Sequence, residues 1–352
     1  MKQKTFAVLL VVPFTVISLL IAEFALRLII FGPLSNLPAL RRAGLYSYHD
    51  SESDYWKLDK LFKSGQLQNL SCHPLLGWLK SEINPVSYVH SADKDIGSRT
   101  PVLLYGDSYA KCQVPSEECF EGILNADPAF HDRYLLINYG VAAYGLDQIY
   151  LLYKATIDRY ESPIVIFGFL DYDIDRCLQT IRHSMKPYFI ANEGSLVLRG
   201  VPVQCDFEKY LREHPLEITS YLWRLLILGV LPRHTVYGPL YESSNIERKK
   251  KICELILSDL VEDLRRRSLR HIFLVFQSAD MVFEKPDWRI RFLRDFFAQR
   301  QADNLFTTDV IKDRVAQDGY EYQDYFVSKT DNHPNKLYNR LVSDRLRLWI
   351  KQ

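Results

Sequence analysis

Charge of one sign is what this sequence most plainly lacks. Its 44 Lys and Arg stand against 43 Asp and Glu, a formal net charge of +1 over 352 residues. That balance removes any long-range electrostatic case for nucleic acid or for an acidic partner. Metal-binding patterns are missing as well. The six cysteines (Cys72, Cys112, Cys119, Cys177, Cys205 and Cys253) are scattered, none forms a Cys-x-x-Cys, and no histidine stands at ligand spacing from one. Six cysteines suit an oxidising compartment in number; Cys112 and Cys119 could pair across a turn, and buried free thiols are the alternative. With 47% hydrophobic and 25% charged residues the chain reads as folded rather than disordered. Any function therefore has to come from a site.

Long hydrophobic runs are few, and the one that exists is at the N-terminus. Residues 6–31, FAVLLVVPFTVISLLIAEFALRLIIF, exceed the roughly 20 apolar residues a hydrocarbon core requires. Lys2 and Lys4 precede the run and predict a cytoplasmic N-terminus, with Arg41 and Arg42 beyond it as a weaker opposing signal. The run is longer than the apolar part of a cleaved signal peptide, and no clear small-x-small site follows it. It is expected to be a signal anchor: a cytoplasmic tail 1–5, a membrane helix 6–31, and the rest of the chain periplasmic or extracellular. Glu23 and Arg27 are four apart and share a helix face, where they read as a pair snorkelling at the outer interface. A second apolar stretch, ITSYLWRLLILGVL, is too short and too amphipathic for another crossing.

Beyond the anchor, residues 32–99 read as a stalk and a packed N-terminal extension, without repeats or low complexity. From residue 100 onward apolar strands alternate with helices: VLLYG, YLLINYG, PIVIFGFL, HIFLVFQS and NLFTTD, ending in a helix over 336–350. This alternation predicts an α/β domain over 100–352, a parallel sheet with helices on both faces and all strand carboxyl ends at one edge. Residues 182–245 interrupt the rhythm with a hairpin (PYFIANEGSLVLRG) and the short apolar helix, and are expected to form a cap on that edge. The helix over 246–267 carries Lys249–Lys251 and 265–267 as basic runs, read as a solvated face balanced by nearby acids.

The first strand of this domain ends in Gly106-Asp107-Ser108. Turn chemistry alone accounts for those three residue types. The functional reading makes Ser108 a nucleophile at the carboxyl end of a parallel strand, where open α/β sheets place their ligands. A serine needs a base to take its proton, and the convincing one is His333, with Asp331 two residues earlier able to orient the imidazole. His333 could instead belong to the start of the last helix, since Pro334-Asn335 is a helix-opening pair. Asp107 reads as a structural hydrogen-bonder to the turn, and Asn138 and Gln148 as loop and helix polar partners. Asp171, Asp173 and Asp175 alternate in a way that invites a metal, but without the ligand spacing of an EF-hand.

These segments resemble a known family. LLYGDSYA is similar to block I of the SGNH (GDSL-like) hydrolases, INYGVAAYGLDQIYLLY to block II, FGFLDYDIDR stands where block III belongs, and TDNHPN resembles the Asp-x-His-Pro-Asn form of block V. HPLLGW and IAEFALRL resemble the pre-domain and anchor segments of membrane-anchored members associated with exopolysaccharide or cell-envelope acylation. The resemblance implies a three-layer, flavodoxin-like parallel sheet. It also implies an acyl ester hydrolase or O-acyltransferase, with Ser108, His333 and Asp331 as its catalytic triad. No metal or other cofactor is implied. The substrate it implies is an acylated carbohydrate, O-acetyl groups foremost, and polysaccharide-synthesis machinery at the membrane would be the partner. The oxyanion hole would draw on Ser108, Gly140, Ala143 and Tyr172, supported by Asp107 and Asn138. Two departures stand out: Ala143 replaces the second glycine of block II, and Tyr172 stands where block III carries an asparagine amide. The second of these leaves a silent scaffold that binds polysaccharide as the alternative.

Overall fold

The computed structural model describes residues 2–32, 37–48, 52–63, 72–230, 237–277 and 287–352. Residues 33–36, 49–51 and 64–71 of the stalk and extension, residues 231–236 of the insertion and the end of HIFLVFQS lie outside the described residues. In chain order the elements are α1 (Lys2–Phe31), α2 (Ser53–Phe62), β1 (Thr100–Gly106), α3 (Ser108–Lys111), α4 (Phe120–Asn125) and α5 (Pro128–His131). There follow β2 (Tyr134–Gly140), α6 (Leu146–Thr156), β3 (Ile164–Leu170), α7 (Asp173–Arg176), β4 (Tyr188–Asn192), β5 (Ser195–Arg199), α8 (Phe207–Glu213) and α9 (Tyr221–Arg224). The chain ends with α10 (Tyr237–Arg266), β6 (His271–Phe276), α11 (Trp288–Arg300), β7 (Asn304–Phe306), α12 (Thr307–Asp318) and α13 (Lys336–Lys351).

Two compact units emerge, residues 1–68 with 206–247, and residues 69–205 with 248–352. This division differs from the one expected from sequence. The extension 32–99 is shared between the units, and so is the insertion 182–245. The reason is covalent and local: a disulfide joins Cys72 to Cys205, and the Val203 N–H donates to the Pro74 carbonyl at 2.7 Å. The hairpin β4–β5 therefore stays with the sheet-bearing unit, while the chain from 206 onward packs with the N-terminal segments.

In the first unit, Leu26, Ile30, Tyr46, Leu58, Ile218 and Tyr221 form a small apolar core. α1 is apolar and long enough from Val11 to Phe31 to cross a membrane. The Glu23–Arg27 pair does form, at 2.7 Å, but it does more than snorkel. Glu23 accepts the N–H groups of Tyr221 and Leu222 at 3.0 and 2.8 Å, and Arg27 donates to the Thr219 carbonyl at 2.9 Å. Two charged residues near the end of an apolar helix thus satisfy the opening turn of α9.

The second unit is built on a five-stranded, all-parallel sheet in the order β2-β1-β3-β6-β7. This is the flavodoxin-like order, whose switch point lies between β1 and β3. The strands are apolar on both faces, as a sheet covered by helices on both sides requires. Leu103, Tyr105, Val165, Phe167 and Phe273 face α6, α10 and α11. Val102, Leu104, Ile166 and Leu274 face α4, α12 and α13. Gly106 pairs with both Gly140 and Gly168. A Cβ on Gly106 would lie 2.1 Å from the Gly168 carbonyl oxygen, so only glycine lets the strand tips approach this closely. Among the described helices longer than ten residues, α11 and α12 were not anticipated from sequence. α11 alternates charged and aromatic residues, and α12 begins directly where β7 ends, leaving no loop signal between them. Lys249 corrects the reading of the basic helix: it is buried in an ion pair with Asp175, not on a solvated face.

Candidate active site

The nucleophile position follows from one short turn. β1 ends at Gly106, Asp107 caps α3 by accepting the Tyr109 N–H at 2.9 Å, and Ser108 is the first residue of that helix. A capped helix start leaves the Ser108 N–H without an intrahelical partner. α3 lasts four residues and ends at Cys112, which has φ +76° and is bonded to Cys119. Of the two alternatives for these cysteines, the disulfide is the one present. It closes the loop that follows the nucleophile.

The candidate base comes from the other end of the chain. His333 lies in the loop before α13, and Nε2 is 3.0 Å from Ser108 Oγ. Its Nδ1 is 2.6 Å from Asp331 Oδ1, which also accepts the His333 N–H at 3.1 Å. A carboxylate only accepts, so Nδ1 carries the proton and Nε2 faces the serine hydroxyl as acceptor. Burial opposes ionisation of Asp331, but the hydrogen bonds from His333 outweigh it and hold the carboxyl below its ordinary value. The loop is anchored on both sides. The Tyr109 hydroxyl donates to the Asn332 carbonyl at 2.7 Å. Asn335 caps α13 by accepting from Leu337 and Tyr338, while its amide donates to the Asp324 and Phe326 carbonyls. The helix-opening role of Pro334-Asn335 and the pairing of His333 with Ser108 therefore coexist.

A serine after β1, at the switch point of a 2-1-3-4-5 parallel sheet, meets an Asp-x-His from the loop before the last helix. The arrangement is SGNH-like. No family model matches the chain, and no curated protein does. Among solved structures it is similar to the acetyl xylan esterase AlAXEase, at 13% identity and a TM-score of 0.42, covering 71% of this chain and 99% of that one. A two-domain esterase active on acetylated mannans aligns at 8% identity and a TM-score of 0.40, over 74% of this chain and 51% of that one. A member of the lipolytic G-D-S-L family from Veillonella parvula aligns at 11% identity and a TM-score of 0.36, over 72% and 100%. Strand order and side-chain geometry define the site.

The expected oxyanion residues divide. Ala143 has φ +64°, the left-handed conformation that favours glycine, so alanine here has kept the backbone of the position it occupies. Neither its N–H nor that of Ser108 has a hydrogen-bond partner among the described residues. Gly140 is a correction: its N–H donates to Asn138 Oδ1 at 2.8 Å, and it is not open to a ligand. Its lack of a side chain serves packing instead, since a Cβ would lie 2.4 Å from the Lys111 nitrogen. Asn138 supports the site by donating to the Ala110 carbonyl at 2.9 Å, which clamps α3 to β2. Tyr172 is a second correction. Its ring lies under the Arg289 guanidinium at 4.7 Å and its N–H goes to Asp171 at 3.0 Å. No hydrogen bond among the described residues joins it to Ser108 or Ala143.

Sequence reasoning passed over several groups that shape this site. The Trp78 indole, from the HPLLGW segment, donates to the Ala142 carbonyl at 3.0 Å and so fixes the block II turn. His90 donates from Nε2 to the Asn138 carbonyl at 3.1 Å and accepts the Ala92 N–H at Nδ1; burial pushes its pKa down to about 4, so it is neutral. Asp107 is fully buried, and burial holds its carboxyl above the ordinary value despite Arg176. Arg176 does not swing in to replace the absent amide. It is instead buried against Asp107, Asp173 and the Tyr144 carbonyl. Asp175 is engaged by Lys249 and Arg289, so these aspartates face cations of the chain itself.

Proposed function

We propose that this chain is a serine-dependent acyl ester hydrolase or O-acyltransferase acting through an acyl-Ser108 intermediate. The observation that carries the reading is the continuous relay from Ser108 Oγ to His333 Nε2 and from His333 Nδ1 to Asp331. His333 takes the hydroxyl proton as Ser108 Oγ bonds to the acyl carbon, and Asp331 stabilises the imidazolium. The carbonyl oxygen becomes an anion within reach of the unpaired N–H groups of Ser108 and Ala143. On collapse the ester's alcohol oxygen leaves with the proton from His333. Water, or a second hydroxyl, then attacks the acyl-serine by the reverse relay, giving hydrolysis or transfer. The resemblance in blocks I, II and V makes an O-acetylated envelope or secreted polysaccharide the substrate, and α1 the membrane anchor that would hold the domain on the far side from a cytoplasmic N-terminus.

One feature favours the scaffold reading: Tyr172 stands where the resemblance places an asparagine amide, and no hydrogen bond among the described residues joins it to the two backbone donors. A missing donor typically slows turnover by about 10²–10³, which leaves a weak enzyme rather than none. A fluorophosphonate probe applied to the full chain in detergent tests this directly. Labelling of the wild type that is lost in Ser108→Ala, together with acetyl ester cleavage lost in the same variant, is expected. A folded wild type without either signal, still binding polysaccharide, would replace the enzyme with the scaffold.

A further inference from the structure

The donors proposed for the oxyanion come from two different turns, and one buried side chain touches both. Ser108 follows Asp107 at the tip of β1, and Ala143 sits in the turn after β2. Arg176, at the end of α7 beyond β3, donates from Nη1 to the Tyr144 carbonyl at 2.7 Å. Tyr144 directly follows Ala143. The same nitrogen is 3.6 Å from Asp107 Oδ2, while the other oxygen of Asp107 holds the Tyr109 N–H. The guanidinium is fixed in turn by an ion pair with Asp173, whose second oxygen accepts the Leu170 N–H at the end of β3 at 3.0 Å. The tips of β1 and β3, which border the switch point, and the turn after β2 therefore meet at one guanidinium.

Other bonds also hold the turn over 141–145: the Tyr144 hydroxyl donates to the Trp78 carbonyl and the Gly145 N–H to Gln148 Oε1 at 3.5 Å. The Val141 N–H donates to the Gly106 carbonyl, the Tyr144 N–H to the Val141 carbonyl at 3.3 Å, and Trp78 holds Ala142. Ala143 itself is held in a left-handed conformation, φ +64°, that is unfavourable for a non-glycine residue. The peptide that carries the Ala143 N–H is held at its Ala142 carbonyl by Trp78; releasing the Tyr144 carbonyl from Arg176 loosens the turn on the other side of Ala143 and lets that N–H shift relative to Ser108. A planar guanidinium can span a carboxylate and a carbonyl at fixed angles; an ammonium cannot.

Resting on the acyl-transfer reading above, we infer that Arg176 is a positioning residue of the oxyanion hole, setting, beside the Trp78 hold on Ala142, the Ala143 N–H relative to the Ser108 N–H through Tyr144 and Asp107. An oxyanion exists only in the tetrahedral state, so misplacing its donors lowers turnover and leaves ground-state binding nearly unchanged. Asp107 and Asp173 are already held above their ordinary values by burial. They can retain protons when the cation is withdrawn, which allows the variants to fold.

The test combines kinetics with hydrogen exchange on the full chain. Arg176→Met is expected to lower kcat on an acetyl ester by about 10²–10³, the cost of a lost donor, with KM within about twofold. Arg176→Lys, which keeps the charge, should lose about tenfold or more. Guanidinium ion should restore part of the rate of Arg176→Ala and none of that of Ser108→Ala. Backbone exchange over 139–146 should quicken in Arg176→Met. Folded Met and Lys variants with wild-type kcat would overturn the proposal, as would a parallel rise of KM with the fall of kcat. If wild-type Ser108 is not labelled by a fluorophosphonate, the acyl-transfer reading fails separately. The exchange comparison still decides the positioning: unchanged exchange over 139–146 refutes it, and faster exchange supports it.

Discussion

Asp171 offers a sharp physical prediction. It lies at the end of β3 and is fully buried. Its backbone N–H is paired to the Phe276 carbonyl at 3.1 Å, and one carboxyl oxygen accepts the Tyr172 N–H at 3.0 Å. The other oxygen has no hydrogen-bond partner among the described residues. Burial pushes the carboxyl up to about 8 from an ordinary 3.8; nearby Asp287 adds to the rise, and Arg289 only partly opposes it. The folded value is raised, so the proton is held more tightly in the folded state. Its stabilising contribution is complete below the ordinary value and is lost as pH climbs through the folded one. Each pH step inside that window removes about 1.4 kcal/mol, so between its ends the folded state loses roughly 4–6 kcal/mol from this group alone. Asp171→Asn is nearly isosteric with the neutral acid and has nothing to ionise. Asp107, Asp147 and Asp173 are also raised by burial, so both proteins will weaken with rising pH; only the difference between them isolates Asp171. Urea unfolding followed by tryptophan fluorescence, at a series of pH values from mildly acidic to about 8.5, should show the Asn variant gaining on the wild type steadily as pH rises. Stability curves that stay parallel across the range would mean that Asp171 is ionised in the folded protein, and would refute the reasoning.

Other substitutions probe the site and its frame. Asp331→Asn should lower kcat by about 10²–10³, less than for a buried triad aspartate because water screens this one; its side chain is 45% exposed, and a loss below threefold in steady-state kinetics would remove it from the relay. Tyr172→Phe should leave turnover within about twofold, since its ring packs under Arg289 and no bond ties its hydroxyl to the oxyanion donors; a large drop in kcat would reinstate it. Replacing both Cys72 and Cys205 with serine opens a bridge across a separation of 133 residues and should cost about 3–5 kcal/mol. The same change at Cys112 and Cys119, only 7 apart, should cost about 2–3 kcal/mol. Equal losses in melting scans under non-reducing conditions would contradict that order.

Much of the strand framework was legible because buried parallel strands are short, apolar and bounded by turns. YLLINYG and PIVIFGFL are β2 and β3 nearly residue for residue. The pairing of Ser108 with His333 was legible for another reason: hydroxyl, imidazole and carboxylate are the residue types the chemistry demands, and the alternation of elements brings the last loop to the first strand's tip. Composition could not expose the partners of single groups. Gly140 looks like a donor in the one-letter code, yet Asn138 consumes its N–H. Lys249 sits in a basic run and is buried on Asp175, 74 residues away in sequence.

What the chain by itself determined is thus its periodicity, its apolar N-terminal run and the residue types of a nucleophile, a base and an orienting acid, all properties of neighbours in sequence. The tertiary structure alone decided which N–H groups stay unpaired, which cysteines meet, and where the insertion divides between two compact units. It also decided that Arg176 lies where the tips of β1 and β3 and the turn after β2 converge. Each of these depends on hydrogen bonds and ion pairs between residues far apart in the chain, and such partners are chosen by close packing around the sheet, which no local pattern encodes.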